Sequence, residues 1–442
     1  MDPTTLGSLA VILALIFIFL RVPIAFALGA VGLIGLWIFF SFRPGADFNP
    51  NGYIPALTTA TQSYFTLFHS YDLSAVPLFV AMGHICYRSG ITSDIYDAAR
   101  TWISWIPGGL AIASVMGCGG FAAISGSSLA CAATMGRVAV PEMTRSGYSE
   151  RLASASVAAG GTLGALIPPS ILFILYGVFA EQSVGKLFIA GIVPGIISLL
   201  GYILVITIWA MVRKQDAPRF VLKQSSREKL RVTLRTWPAL LIFTIIIGGI
   251  YGGFFTPTEA GAVVFALAVV ISLAMRRIDG RGVAEALKET AFQTAALFLI
   301  GGGAAVFSSL VALTGLTRSL VELVSYMDLS QAGVLVAVVL VYLLLGMFLD
   351  PLGILLLTLP FSVPLVEQHG VDLIWFGVLV VKLLEMGLIT PPVGMNVFVI
   401  SSVTKPPIPA GRIFSGVVPF FAMDVVVVAL LIAAPGIALW LT

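Results

Sequence analysis

The run Ser125-Gly126-Ser127-Ser128 sets three hydroxyls around a glycine in the middle of an apolar stretch. Hydroxyls beside freed backbone carbonyls make an oxygen-rich donor set, suited to a hard cation such as Na⁺. A second apolar stretch carries Gly346-Met347-Phe348-Leu349-Asp350-Pro351 at its middle. A carboxylate at membrane depth is a functional-site candidate by default. Two further segments are built to break helices: 164–170 reads Gly-Ala-Leu-Ile-Pro-Pro-Ser, and 387–394 reads Gly-Leu-Ile-Thr-Pro-Pro-Val-Gly. Proline removes a backbone donor and clashes with the preceding turn, so each Pro-Pro pair predicts an unwound break. In lipid, unwound backbone survives only where protein buries it or a cavity borders it. Pro168 and Pro391 stand 223 residues apart in matching halves of the chain, a spacing that points to a transport site.

If each polar tip faces the break of its own half, two clusters result. Ser125, Ser127 and Ser128 with Gly164 and Ile167 form one. Asp350 with Thr390, Gly394 and Met395 forms its mirror image. The half-helices that follow the breaks turn their positive dipole ends toward the cavity, which favours an anionic substrate. Lys382 and Glu385 lie three apart inside one predicted span. They read either as a mutually neutralising pair or with Lys382 on a substrate carboxylate. Ser and Gly also mediate close helix packing in membranes, which is the bland reading of the serine tip.

The elements that position these residues follow from composition. Of 442 residues, 59% are hydrophobic and only 10% charged, far below the ~25% of soluble domains, so the chain is a polytopic membrane protein. Ten spans are predicted, near 7–20, 24–41, 71–88, 150–180, 187–212, 237–254, 258–275, 291–314, 371–403 and 415–440. The segments 108–145 and 331–367 read as re-entrant hairpins. Segment 7–20 reads as a retained span, because no small-residue cleavage site follows it. Cys86, Cys118 and Cys131 have no metal spacing and read as small core residues. His69, His84 and His369 are scattered. Trp102 and Trp105 with Tyr96 read as interface anchors.

Charge sets the topology. The loop 213–235 carries Arg213, Lys214, Arg219, Lys223, Arg227, Lys229, Arg231 and Arg235, which places it in the cytoplasm. Counting outward from there puts 20 of the 24 Lys and Arg inside, with Arg43, Lys186 and Arg318 outside and Lys382 in a span. Both termini then lie on the periplasmic side. The halves, 1–212 and 236–442, also align in short patches: Gly90-Ile-Thr92 with Gly315-Leu-Thr317, Pro168-Pro169 with Pro391-Pro392, and Val193-Pro194 with Val418-Pro419. Each half has five spans and one hairpin, and an odd span count inverts one half relative to the other. The fold class is therefore an all-α inverted-topology repeat with ten spans and two re-entrant hairpins. Segments 50–70 and 279–290 read as surface helices on opposite faces, either arms that link a scaffold to a moving block or ordinary interfacial connectors.

These residues resemble the large (M) membrane subunit of TRAP transporters, the tripartite ATP-independent periplasmic systems of the DctM-like family. The resemblance spans nearly the whole chain and is sharpest at Gly119 through Ser128, Ile167 through Ser170, Gly346 through Pro351 and Gly387 through Gly394. It implies an elevator-type, ion-transporter-like sodium symporter in the bacterial inner membrane, importing a small organic acid. It further implies a small integral membrane subunit as partner, expected here as a separate polypeptide, and a periplasmic substrate-binding protein. Under the resemblance the tip serines, Asp350 and Thr390 belong to sodium sites. Pro168, Pro169, Ser170, Pro391, Pro392 and Asn396 then border the substrate. Na⁺ is the coupling ion, membrane lipid surrounds the chain, and nucleic acid is not an expected partner. The chain has no Walker pattern of Gly-Lys-Ser or Gly-Lys-Thr, so an ion or substrate gradient must supply the energy. A proton-coupled or uncoupled organic-anion carrier working without a binding protein is the alternative. An intramembrane enzyme is a remote one, since Asp350 follows Gly-Met-Phe-Leu rather than Gly-x-Gly.

Overall fold

The computed structural model describes residues 2–42, 47–218 and 225–442. Arg43, Arg219 and Lys223, used above for topology, lie outside the described residues. In the first half the helices are α1 (Pro3–Phe19), α2 (Ile24–Ser41), α3 (Tyr53–Phe68), α4 (Ala75–Arg88), α5 (Ile91–Ile103), α6 (Gly109–Ser125), α7 (Ser128–Arg145), α8 (Glu150–Gly161), α9 (Ile171–Phe179) and α10 (Val184–Val212). The second half repeats the order. Its helices are α11 (Ser226–Leu234), α12 (Trp237–Tyr251), α13 (Pro257–Ala274), α14 (Gly280–Thr314), α15 (Leu316–Tyr326), α16 (Gln331–Gly346), α17 (Pro351–Gln368), α18 (Leu373–Gly387), α19 (Met395–Val403) and α20 (Ala410–Ala433).

Among the described residues, length and composition let six helices cross a membrane singly: α2, α10, α13, α14, α17 and α20. The pairs α3–α4 and α11–α12, bent by 61° and 44°, bring this to eight. The predicted spans 150–180 and 371–403 are each broken in two, as the prolines require. Helix α8 ends at Gly161, and α9 restarts where the Ser170 hydroxyl accepts from Phe173 N–H at 3.2 Å. Helix α18 ends at Gly387, and α19 restarts after Gly394 in the left-handed region at φ 51°. The Pro168–Pro169 and Pro391–Pro392 peptides are both cis.

Two expectations need correction. Segment 279–290 is no separate surface helix, because it runs unbroken into the next span as the 35-residue α14. With no helix breaker where 290 meets 291, the backbone bonds simply continue. Its counterpart α3 is a separate helix, bent away from α4. Tyr96 is no interface anchor: it is 1% exposed and donates to Glu142 Oε2 at 2.9 Å. Trp102 and Trp105 do lie exposed. The amphipathic helices α5 and α15 were missed. Each starts at a glycine with positive φ, Gly90 at 73° and Gly315 at 69°, the very pair that aligned between the halves.

Two packed bodies position the site. In one, α2 and α3 clasp α14, with Leu28, Val31, Phe307 and Leu310 buried between them. Glycine lets the backbones approach: a Cβ on Gly303 would lie 2.4 Å from the Ala25 carbonyl oxygen. In the other, the α6–α7 hairpin packs with α8, α10 and α20 around Phe121, Met135, Tyr202 and Phe420. A third apolar cluster joins α4, α9, α12 and α13 to α16, α17 and α18. Large apolar side chains such as Ile12, Phe26, Leu204 and Leu340 point outward, as a lipid-facing surface requires.

Candidate functional site

The first hairpin turns at Gly126, whose φ of 60° suits glycine. A Cβ there would meet the Pro169 carbonyl oxygen at 2.5 Å, so the tip lies directly on the break of its own half. Gly164 closes the other side: a Cβ would sit 2.7 Å from both Ser128 N and Ser128 Cα. Ser127 caps α7, its hydroxyl accepting from Ala130 N–H at 3.4 Å. Ser125 accepts from Ser127 N–H at 3.4 Å. Ser127, Ser128 and Gly164 are therefore in contact, as expected from the spacing. The Ile167 side chain instead packs toward Gly119 and Gly195.

The second hairpin meets its own break in the same manner. Gly346 and Gly387 touch backbone to backbone, and Val393 N–H donates to the Met347 carbonyl at 3.2 Å. Asp350 caps α17, accepting from Gly353 N–H at 3.1 Å. Thr390 donates to the Met386 carbonyl at 2.7 Å, and its own carbonyl would lie 3.2 Å from a Cβ on Gly394. Thr390, Gly394 and Met395 thus share one turn, while the Asp350 carboxylate is turned onto its own helix.

A buried polar network ties the two junctions together. Ser128 donates to Glu385 Oε2 at 2.6 Å. Lys382, 1% exposed, is not paired with Glu385. Its ammonium donates to Asp424 Oδ1 at 2.5 Å and to Ser198 Oγ at 3.1 Å. The Tyr202 hydroxyl donates to the Asp424 carboxylate at 2.7 and 2.9 Å and lies 2.8 Å from Thr162 Oγ1. A buried charge is tolerated only when paired and hydrogen-bonded, and both conditions hold here. Asp424 was missed by sequence reasoning. The available signal was a lone carboxylate in an otherwise apolar span.

Asn396, fully buried, crosses from the second break to the first and donates to the Ala158 carbonyl at 3.2 Å. Its Oδ1 is buried with no partner among the described residues. The amide also lies near the Ser128 carbonyl, since a Cβ on Gly161 would be 3.0 Å from Asn396 Nδ2 and 3.4 Å from Ser128 O. The two breaks are otherwise unlike: Pro168, Pro169 and Ser170 are buried, whereas Pro391 and Pro392 are exposed.

A cavity of about 270 Å³ reaches the first tip, lined by Ser125, Ser127, Thr134 and Arg137 and, across from them, by His84 and Gln293. A second hollow of about 530 Å³ separates α3 and α14 from the end of α9, with Thr59, Ser63, Thr66 and Ser309 on its walls. The first thus lies between α14 and the first hairpin, and the second between α14 and the half-helix that follows the first break.

Residues 11–437 match the model of the tripartite ATP-independent periplasmic transporter, DctM component. The chain belongs to the DctM family. It is 38% identical over 371 residues to the C4-dicarboxylate TRAP transporter large permease protein DctM of Pseudomonas aeruginosa, covering 84% of this chain and 86% of that one. It is 34% identical over 373 residues to the sialic acid TRAP transporter large permease protein SiaM of Vibrio cholerae, with the same two coverages. Its fold is similar to the crystal structure of the Alcanivorax borkumensis YdaH transporter at a TM-score of 0.60, with 14% identity, covering 100% of this chain and 98% of that one. As a DctM-family large permease, the chain is a multi-pass membrane transport protein rather than an enzyme. The TRAP family implies a small membrane subunit and a periplasmic binding protein beside it.

Proposed function

We propose that this permease is the sodium-coupled importing subunit for a small organic acid handed over by a periplasmic binding protein. One observation carries the reading: in both halves the hairpin tip is pressed against the Pro-Pro break, the first through Gly126 on the Pro169 carbonyl and the second through Gly346 on Gly387 and the Met347 carbonyl on Val393 N–H. At the first junction the donors are Ser125, Ser127 and the backbone beside Gly164; at the second they are Asp350, Thr390 and the turn through Gly394 and Met395. Oxygen donors without a rigid cage suit Na⁺. The unpartnered Asn396 Oδ1 adds one more acceptor where the halves meet. The substrate class rests on the relatives, two of which are named for C4-dicarboxylates and for sialic acid and another for isethionate, a sulfonate; all three are organic acids. The two clefts beside α14 support elevator motion, with the α2–α3–α14 body fixed and both hairpins carried as one block. In this reading the basic loop is cytoplasmic and both termini are periplasmic. The small membrane subunit works beside it in the inner membrane.

A ligand that binds only the folded state raises its apparent stability by mass action. The purified chain should melt at higher temperature in sodium than in choline at matched ionic strength, in a saturable way. A melt blind to sodium, with and without the small subunit, would remove the coupling claim. The second reading, proton coupling, is favoured by the placement of Asp350 at a hairpin tip. Asp350→Asn separates the two, because Asn caps helices as well as Asp does. A sodium site would lose sodium affinity, and a proton carrier would lose its pH dependence.

A further inference from the structure

Arg137 stands on α7 between two hollows. On one side it lines the cavity that reaches Ser125 and Ser127. On the other it lines a crevice of about 1060 Å³ together with Arg100, Arg145 and Lys405. The acids on both sides are already engaged. Glu289 in the cavity pairs with Arg88 at 2.7 Å and lies 3.3 Å from the His84 ring. Glu142 in the crevice is ion-paired with Arg100, which also lies 3.3 Å from Asp97. Arg137, Arg145 and Lys405 pair with no carboxylate among the described residues. In both hollows that Arg137 borders, the uncompensated charge is therefore positive.

We infer that Arg137 is a carboxylate-binding station on the route between the tip cavity and this cationic crevice, and so a specificity determinant for anionic cargo. The inference rests on the organic-acid reading given above. A guanidinium offers a planar fork that binds a carboxylate bidentately, which a lysine ammonium cannot do. A cleft lined by one sign of charge also concentrates the opposite ion locally. Thr134, one turn before Arg137 on α7, lines the same cavity. The charge that attracts an anion therefore sits beside the passage to the tip serines.

The test uses the fact that Cys86, Cys118 and Cys131 are all fully buried, which leaves an introduced thiol as the accessible one. In the full-length protein carrying Thr134→Cys, the rate of modification is measured with an anionic and a cationic methanethiosulfonate of similar size. The anionic-to-cationic rate ratio should exceed that of the same protein with Arg137→Gln by on the order of tenfold. Arg137→Lys should keep most of the ratio, which reads charge, but lose most of the succinate protection, which reads the bidentate fork. Choline succinate, compared with choline chloride at matched ionic strength, should slow the anionic reagent when Arg137 is present and not in the Gln variant. A ratio indifferent to Arg137→Gln, or succinate protection equal in both, overturns the inference. A ratio abolished by phosphatidylglycerol but not by phosphatidylcholine vesicles also overturns it, and makes the crevice a lipid-headgroup site. The ratio requires no sodium. A melt blind to sodium would therefore sink the coupling reading alone, and an unchanged ratio would sink this inference alone.

Discussion

Replacing Asp424 tests the buried network most directly. Asp424→Asn keeps the shape of the side chain but removes the counter-charge of Lys382, whose side chain is 2% exposed. The ammonium would then sit at membrane depth with neutral partners only: the amide oxygen the substitution leaves, Ser198, and the Tyr202 ring 5.6 Å away. Breaking a buried pair by removing one partner typically costs about 3–5 kcal/mol, because the remaining charge is desolvated without compensation. At roughly 2 °C per kcal/mol, the loss corresponds to a fall of about 6–10 °C in melting temperature. Lys382→Met with Asp424→Leu removes both charges and keeps side-chain volume, so the double variant should recover most of the loss. The assay is the thermal melt of each purified variant in detergent. Asp424→Asn melting within about 1 °C of the parent would refute the reasoning. It would mean that Glu385 takes over the ammonium, and Asp424→Asn with Glu385→Gln would then show the deficit.

Four other outcomes are expected. Ser127→Ala should cost about 1 kcal/mol through loss of the α7 cap and should abolish the sodium-dependent rise in melting temperature; a full sodium response would show that the tip is only packing. Gly164→Ala should destabilise by about 1–3 kcal/mol, since the new methyl meets Ser128 backbone that cannot yield. Gly411→Ala, where a Cβ meets nothing within 4 Å, should leave the melt unchanged. In cells, deleting the periplasmic binding protein should eliminate high-affinity organic-acid uptake, and undiminished uptake would end the tripartite proposal for this chain.

Much of the architecture was legible because local chemistry dictates it. Pro168-Pro169 and Pro391-Pro392 lack backbone donors wherever they fall, so both breaks could be placed before any tertiary contact was known. The Ser-Gly-Ser-Ser tip and the Asp-Pro cap likewise announce turns from their own residues, and each hairpin reverses within a few residues of its expected middle. The paired glycines Gly90 and Gly315 marked the repeat, although the short amphipathic helices they start were overlooked. Trp102, expected with Tyr96 as an interface anchor, lies exposed, whereas Tyr96 is drawn inward by Glu142, which lies 46 residues away.

What the sequence alone determined is the set of places where a membrane helix cannot continue, because proline, glycine and capping side chains act on their own backbone. Which charge answers which was decided only by the tertiary structure. Lys382 and Glu385 share a helix, yet Lys382 bonds to Asp424, 42 residues away, and Glu385 to Ser128, 257 residues away. In a low-dielectric interior a charge goes to the partner that offers the best hydrogen-bond geometry and the least residual desolvation. That choice depends on how α7, α10, α18 and α20 pack, and no spacing along the chain encodes it.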